Sequence, residues 1–144
     1  MLAGILIIAL SLALFIYWFR YSCILILRNR AEIAAASAPI LDSRFSFPEV
    51  LVRLESEPKL DPLHVSLERD YRILIYLMEH GAGLKLASIE DRLLTLDYRV
   101  MQLVYRITRV AAPVQARKAL SEMASVLGVL AHSIGEQAGV QTEA

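Results

Sequence analysis

The pattern of apolar positions changes once along the chain, from an unbroken run to a helical repeat. Residues 2 to 19 carry no charged side chain, whereas later segments repeat apolar positions every three or four residues. No segment alternates apolar and polar residues over any length, so no β-strand is predicted. The pattern therefore predicts an all-α protein in which a single apolar helix precedes a small antiparallel helical bundle.

The apolar run is long enough to cross a lipid bilayer as one helix. Its 18 residues would measure roughly 27 Å at about 1.5 Å per residue, close to a hydrocarbon thickness of about 30 Å. No basic side chain precedes the run, so the positive-inside rule predicts an N-terminus outside the cell membrane and a cytoplasmic C-terminal part. Residues typical of a membrane interface lie at its C-terminal end: Tyr17, Trp18, Arg20, Tyr21, Arg28 and Arg30.

Arg20 decides where such a span would end. A span over residues 2–19 leaves Arg20 at the inner edge, where its guanidinium would reach lipid phosphates. A span over residues 5–27 would place Arg20 in hydrocarbon, at a cost of at least about 2.5 kcal/mol near the bilayer centre. We therefore expect the first register, with residues 21–27 emerging at the interface and contacting lipid or a partner.

Two alternatives concern the same N-terminal segment. The small residues at 34–38 resemble a signal-peptidase site, but they lie far beyond the apolar run, and no basic residue precedes that run. Cys23, the only cysteine, is either an acylation site near the membrane or a small apolar residue. We favour a retained anchor in which Cys23 is simply apolar.

The stretch from 31 to 60 is predicted to be a linker that contains one short amphipathic helix. Its alanine-rich start, residues 31–38, can prolong the first helix. Ser46 and Glu49 have the spacing of a capping box and Pro48 suits a first turn, so the helix is predicted at 47–56. It would dock either on the following domain or on the membrane surface. The chain then divides into four parts: a membrane helix with its basic flank (1–30), this linker (31–60), a cytoplasmic bundle (61–138) and a polar tail (139–144).

Three main helices are predicted after residue 60. The first begins at Asp61-Pro62 and ends near His80, where Gly81 follows. Its apolar face is predicted to comprise Leu63, Leu67, Tyr71, Leu74 and Met78. Every residue from 73 to 78 is apolar, which predicts burial on nearly all sides. The last helix is predicted at 113–137, with a core stripe of Leu120, Met123, Leu127, Leu130 and Ile134.

The middle helix, which starts near Ser88 and is limited by Pro113, carries two apolar stripes. One stripe has coiled-coil spacing through three heptads and is the predicted core contact: Ile89, Leu93, Leu96, Val100, Leu103, Ile107 and Val110. The second stripe either packs against the 47–56 helix or faces another chain, since Tyr and Met are favoured in interface cores. Packing within the chain is the commonest use of such a stripe and is favoured. If the stripe instead faces another chain, the predicted partner interface is Leu94, Tyr98, Met101 and Tyr105.

A row of arginines separates the two stripes of the middle helix. Arg92, Arg99 and Arg106 are seven residues apart and therefore share one side of the helix. They form either a stripe that faces anionic lipid or an acidic partner, or a solvated flank that pairs with glutamates. The balanced charge of the chain favours the second interpretation, with pairing to Glu68, Glu79 and Glu122.

The composition argues against several classes of function. Lys and Arg total 15, as do Asp and Glu, so no basic excess would attract nucleic acid. The sequence has no glycine-rich phosphate loop and no nucleophile motif, and its three histidines lack zinc-ligand spacing. His132 and Glu136 are four apart, which gives too few ligands for a metal. We therefore predict no catalytic, cofactor-binding or metal site, and no small-molecule substrate.

Together these observations predict a non-enzymatic, single-pass membrane protein. It would hold a helical interaction surface at the membrane as a scaffold or as an accessory subunit of a larger assembly. The expected partners are membrane lipid and either another protein or a second copy of the chain. The alternative is a regulatory module that transmits a signal through its membrane helix.

Overall fold

The computed structural model describes residues 1–36, 45–80 and 89–143. These ranges contain no strand and five helices: α1 (Leu2–Ala36), α2 (Phe47–Arg53), α3 (Asp61–His80), α4 (Ile89–Ala111) and α5 (Pro113–Glu143). The all-α prediction is confirmed, and so is the order of one long apolar helix followed by a helical bundle. α1 is also long and apolar enough to cross a membrane, as its sequence predicted.

α1 continues to Ala36, as the alanine-rich stretch after residue 30 allowed, because alanine favours helix and neither proline nor glycine interrupts residues 5–36. Two other helix ends differ from those predicted. α2 ends at Arg53, since the amides of Ser56 and Glu57 both turn back to the Arg53 carbonyl. α5 continues to Glu143, past Gly139, so the segment predicted as a polar tail is helical. One glycine costs a helix only about 1 kcal/mol, which is too little to end it.

α5 is the central helix of the bundle. α1, α2, α3 and α4 all pack against it, and its predicted core stripe is buried from Leu120 to Leu130. Three alanines on its surface are also buried, and their small side chains allow neighbouring helices to approach closely: Ala116, Ala119 and Ala124.

α2 docks on the bundle, where it packs against α5 and α3. Its Phe47 ring lies over Gly128, where an added Cβ would stand 3.4 Å from the ring. The backbone N–H groups of Ser46 and Phe47 donate to Oδ2 of Asp70, at 2.6 and 2.8 Å. The Ser46 side chain makes no cap hydrogen bond, so Asp70 of α3 caps α2 in place of the predicted capping box.

α3 is buried along its predicted apolar face but not all round. Leu63, Leu67, Leu74 and Met78 are buried, and Tyr71 is half-buried. The prediction of nearly complete burial at 73–78 is wrong, because the packed neighbours of α3 among the described residues cover one side of it only. The apolar side chains left exposed on the opposite side are Ile73, Tyr76 and Leu77.

The second stripe of α4 packs inside the chain, as the first of its two predicted alternatives had it, although its neighbours among the described residues are α3 and α5 and not α2. This stripe is at most 5% exposed and lies in the chain's own core: Leu94, Tyr98, Met101 and Tyr105. The heptad stripe assigned to the core faces outward, and five of its residues are 49% to 85% exposed: Ile89, Leu96, Leu103, Ile107 and Val110. We call these five residues the outer face of α4.

The tyrosines explain why the second stripe turns inward. Tyr71 of α3 stacks on Tyr98, with ring centroids 4.2 Å apart, and His64 stacks on Tyr105 at 4.6 Å. The Tyr105 hydroxyl also donates to Asp61 at 2.9 Å. Aromatic stacking adds to the area that these large rings bury, which favours this stripe in the core. The buried Tyr98 hydroxyl, which has no hydrogen-bond partner among the described residues, opposes part of that gain. The partner-interface prediction for these residues is therefore corrected to an intramolecular core.

Candidate functional site

The environment of α1 changes at Phe19. Residues 1–18 are all exposed, Phe19 and Arg20 are half-buried, and Cys23 and Leu27 are buried against the bundle. Steps of three and four residues place Arg20, Cys23 and Leu27 on one face of the helix. α1 therefore has an exposed half, residues 2–18, and a docked half, residues 19–30, which packs on α4 and α5.

Arg20 binds two acids that come from different helices of the bundle. Its Nη1 donates to Oδ1 of Asp97 in α4 at 2.6 Å and to Oε1 of Glu122 in α5 at 2.5 Å. Its Nη2 donates to Oε2 of Glu122 at 2.7 Å, which completes a bidentate pair. We call these three residues the charged junction, because they join α1 to both helices of the central hairpin.

The charged junction is largely removed from water. The Asp97 side chain is fully buried, whereas Arg20 and Glu122 are partly buried. Burial, followed by repulsion from Glu122, raises the pKa of Asp97, although Arg20 opposes that rise. Among the described residues, Oδ2 of Asp97 has no hydrogen-bond partner. One cation faces two carboxylates, so the site is neutral when a single proton is bound.

A second set of charged contacts lies ten residues further along α1. Arg30 donates to Oε2 of Glu90 and approaches Oδ1 of Asp91 at 3.3 Å. From Arg20 to Arg30 the partner on α4 therefore moves back from Asp97 to Glu90. This order shows that α1 and α4 run antiparallel, and it fixes the docked half at both of its ends.

The predicted membrane-interface residues separate into two groups. Tyr17, Trp18, Tyr21 and Arg28 are exposed, as such a role requires. The expectation that Arg20 reaches lipid phosphate is wrong, because its guanidinium is occupied by Asp97 and Glu122. Arg30 is likewise paired with acids of α4. Cys23 is fully buried, so acylation of this thiol would require the docked half to separate from the bundle.

Sequence reasoning missed the charged junction, although one signal for it was present. Asp97 lies three residues after Leu94 and four before Met101, so it shares the face of the second apolar stripe. A carboxylate in an apolar stripe that proves to be core needs a cation. The identity of that cation depended on contacts 77 and 102 residues apart in sequence.

The arginine row of α4 does not pair as predicted. Arg99 donates to the Tyr71 hydroxyl at 3.2 Å, and no described acid pairs with Arg92 or Arg106. Two of the glutamates proposed as partners are bound elsewhere, Glu68 to Arg72 and Glu122 to Arg20. Among the described residues, the arginine row of α4 therefore has no acidic partner, and it can still bind an external anion.

The described residues contain no group of three or more His, Cys, Asp or Glu side chains placed to hold a metal ion. His132 and Glu136 approach to 3.3 Å as a pair on one helix turn. No protein-family model, curated protein or solved structure matches the chain.

Proposed function

We propose that the chain is a non-enzymatic, single-pass protein of the cell membrane that presents a helical interaction surface in a fixed orientation. It serves as a scaffold or accessory subunit of a membrane-associated assembly. The charged junction carries this proposal, because it bonds the apolar helix into the bundle. A flexible tether would leave the bundle free to rotate, whereas this connection fixes which side of α4 faces outward.

The exposed half of α1 supports the membrane assignment. Its 17 residues, 2–18, are uncharged and exposed throughout. A contiguous apolar surface of this length is costly in water, so it requires lipid or another protein around it. In this proposal residues 2–19 span the bilayer, the N-terminus lies outside and the bundle is cytoplasmic, as the basic residues after the span favour.

The docked half of α1 argues against removal of the segment as a signal peptide. Cleavage near residues 34–38 would remove Arg20, Cys23 and Leu27 together. Asp97 and Glu122 would then face each other without their cation, and breaking a buried ion pair in this way is strongly destabilising. Loss of α1 would therefore destabilise the bundle.

The outer face of α4 supports the interaction role. Its five exposed aliphatic residues line one side of α4, and the arginine row flanks them. The partner is another protein or a second copy of the chain. Anchoring on a membrane raises the local concentration of both partners, so a modest interface suffices.

Photo-crosslinking in intact membranes tests this function. A photoreactive phenylalanine analogue at Leu96, on the outer face of α4, should crosslink to a discrete protein partner or to a second copy. The same analogue at Val52, equally apolar but on α2, is the matched control and should give no discrete product. Carbonate extraction of the same membranes should leave the protein in the pellet. Extraction into the supernatant, or identical products from both positions, would contradict the proposal.

A second candidate, signal transmission through α1, is favoured by the continuity of this helix. α1 runs without a break from Leu2 to Ala36, and Arg20 and Arg30 couple it to α4 at two levels. A shift of the span would therefore have to displace α4. Hydrogen exchange of α4, compared between nanodiscs of thin and thick lipids, would reveal such coupling. Identical exchange in the two lipids would leave only the scaffold role.

A further inference from the structure

We propose that the corner between α4 and α5, residues 103–118, is a second membrane contact that binds a bilayer surface containing anionic lipid. This inference rests on the proposed membrane span of α1. It assigns the part of the outer face of α4 from Leu103 to Val110 to lipid. The remaining part, Ile89 and Leu96, is left for the protein contacts of the proposed function.

The direction of the helices points the corner toward the membrane. Arg20 pairs with Asp97 and Arg30 pairs with Glu90, so α1 and α4 are antiparallel. The span continues from Arg20 toward the N-terminus of α1. On the same side, α4 continues from Asp97 toward its C-terminus and the corner.

The corner extends far enough to reach lipid. Asp97 and Ala111 are separated by 14 residues, or about 21 Å of helix, and Glu122 lies about 14 Å below Pro113. With residues 2–19 as the span, Arg20 lies at the inner edge of the hydrocarbon, so any part of the bundle that projects beyond Arg20 meets the bilayer. If the helices cross α1 at about 50°, a common packing angle, the corner projects roughly 9 Å beyond the level of Arg20. Its aliphatic residues then lie at the boundary of headgroups and hydrocarbon, and its long Arg and Lys side chains reach back to the headgroup layer, which is about 5–8 Å thick.

The chemistry of the corner suits a bilayer interface. Ile107, Val110 and Val114 are 64% to 85% exposed, a high value for large aliphatic side chains. From residue 98 to 121 the chain has five basic residues and no acidic residue. Exposed aliphatic residues flanked by Arg and Lys are typical of segments that lie in the interface of an anionic membrane.

Acids from neighbouring elements neutralise only part of this positive charge. Asp61 of α3 lies 3.5 Å from Arg109, and Arg117 donates to the backbone carbonyls of Leu54 and Glu57. No described acid pairs with Arg106, which lies in α4 before the corner, or with Lys118, which lies in α5 after it. These two cations are the groups assigned to anionic headgroups.

Lipid quenching of a site-specific fluorophore in the full chain tests the inference. Cys23→Ala provides a background without other thiols, and Val110→Cys carries an environment-sensitive dye. Two matched variants carry the same dye at Ile89→Cys, an exposed position at the opposite end of α4, and at Ile8→Cys, within the span. Each protein is reconstituted in vesicles of phosphatidylcholine alone or mixed with phosphatidylglycerol, with brominated lipid as the quencher.

The expected result is quenching at positions 8 and 110 but not at 89, with stronger quenching at 110 when phosphatidylglycerol is present. Arg106→Gln with Lys118→Gln should then lower the ratio of docked to undocked corners roughly fivefold for each residue replaced. Circular dichroism of each variant checks that the helices remain folded.

The other outcomes separate the two proposals. Absence of quenching at position 8 would overturn the membrane span itself. Quenching at 8 but not at 110 would overturn the corner contact alone. Equal quenching at 89 and 110 would show that α4 lies flat on the lipid, against the end-on orientation argued above. Shielding of position 110 that depends on protein density and not on lipid type would assign the corner to a second copy.

Discussion

Arg20 shows how one side chain can mark the end of an apolar segment without facing water or lipid. In the sequence it ends an uncharged run, and the membrane interface is its obvious environment. In the structure its guanidinium is occupied by Asp97 and Glu122, and every residue before Phe19 is exposed. The boundary between the exposed and docked halves of α1 is therefore set by a charge that the bundle binds.

Replacing Arg20 by methionine should destabilise the bundle strongly. Arg20→Met keeps an unbranched apolar stem but leaves the buried Asp97 and the partly buried Glu122 without a cation, so we expect a loss of about 3 kcal/mol in the free energy of unfolding. Urea denaturation of the full chain in mild detergent, followed by circular dichroism, measures this change.

The matched control for that substitution is Arg72→Met. Arg72 forms an exposed pair with Glu68 one helix turn away, at 2.9 Å, and such pairs contribute less than about 1 kcal/mol. Equal losses for the two variants would mean that the charged junction is no stronger than a surface pair.

The charged junction should also make stability depend on pH. Because the pKa of Asp97 is raised in the folded state, that state binds the proton more tightly than the unfolded chain does. The stabilisation by this proton is complete below the ordinary carboxyl pKa of about 4 and is lost as the pH rises through the raised value. Asp97→Asn, which cannot ionise, should therefore gain stability relative to the native chain as the pH rises from about 4 to neutrality.

Urea midpoints of the native chain and of Asp97→Asn, measured across that pH interval, check the sign. Parallel curves would show that Asp97 has an ordinary pKa in the folded state. Glu122→Gln is the companion variant, because removing the neighbouring carboxylate should lower the pKa of Asp97 and flatten the same dependence.

At the scale of elements, α2 shows how a helix of seven residues is held in place by its neighbours. Isolated helices of this length are not stable in water, so its order depends on tertiary contacts. Phe47 supplies the apolar contact over Gly128, and Asp70 supplies an acceptor for the amides of Ser46 and Phe47. The capping residue thus comes from α3 and lies 24 residues away from Ser46.

Removal of Asp70 should release α2 more than removal of the predicted cap does. Asp70→Ala leaves two amides at the start of α2 without acceptors, at a cost of about 1–3 kcal/mol. Ser46→Ala removes only an exposed hydrogen bond from Arg69 and should cost less than about 1 kcal/mol. Hydrogen exchange of the α2 amides should accelerate clearly in Asp70→Ala and little in Ser46→Ala. The reverse order would show that the predicted capping box, and not Asp70, caps α2.

At the scale of the whole molecule, α1 belongs to the bundle as much as to any membrane. Its docked half contributes Cys23 and Leu27 to the buried interior and two arginines to ion pairs with α4 and α5. The fold is therefore a bundle with one helix extended beyond it.

Cutting the chain between α1 and α2 should leave the two parts associated. A specific protease site placed within residues 37–44, which lie outside the described residues, would divide the chain after purification in detergent. The docked half should hold the N-terminal fragment on the bundle through size-exclusion chromatography. The same cut in Arg20→Met should release more of the fragment. Complete separation in the native background would show that α1 is only a covalent tether.

The sequence predicted helices well because their signals are local. The helical repeat, the proline and glycine positions and the Asp61-Pro62 start placed α3, α4 and the core stripe of α5 close to their observed limits. The uncharged run predicted a helix able to span a membrane for the same reason: length and polarity are properties of one segment. None of these features needs a distant residue to define it.

Tertiary structure decided which surfaces those helices bury. α4 carries two apolar stripes, and helical spacing favoured the heptad stripe for the core. Tyr71 and His64 of α3 instead stack on the aromatic stripe, which is the one that lies inside. In the same way, the position of Arg20 was readable from the sequence, but its partners lie 77 and 102 residues away. The period of a helix is set by its own backbone, whereas the direction it faces is set by the neighbours that stack on its rings and neutralise its charges.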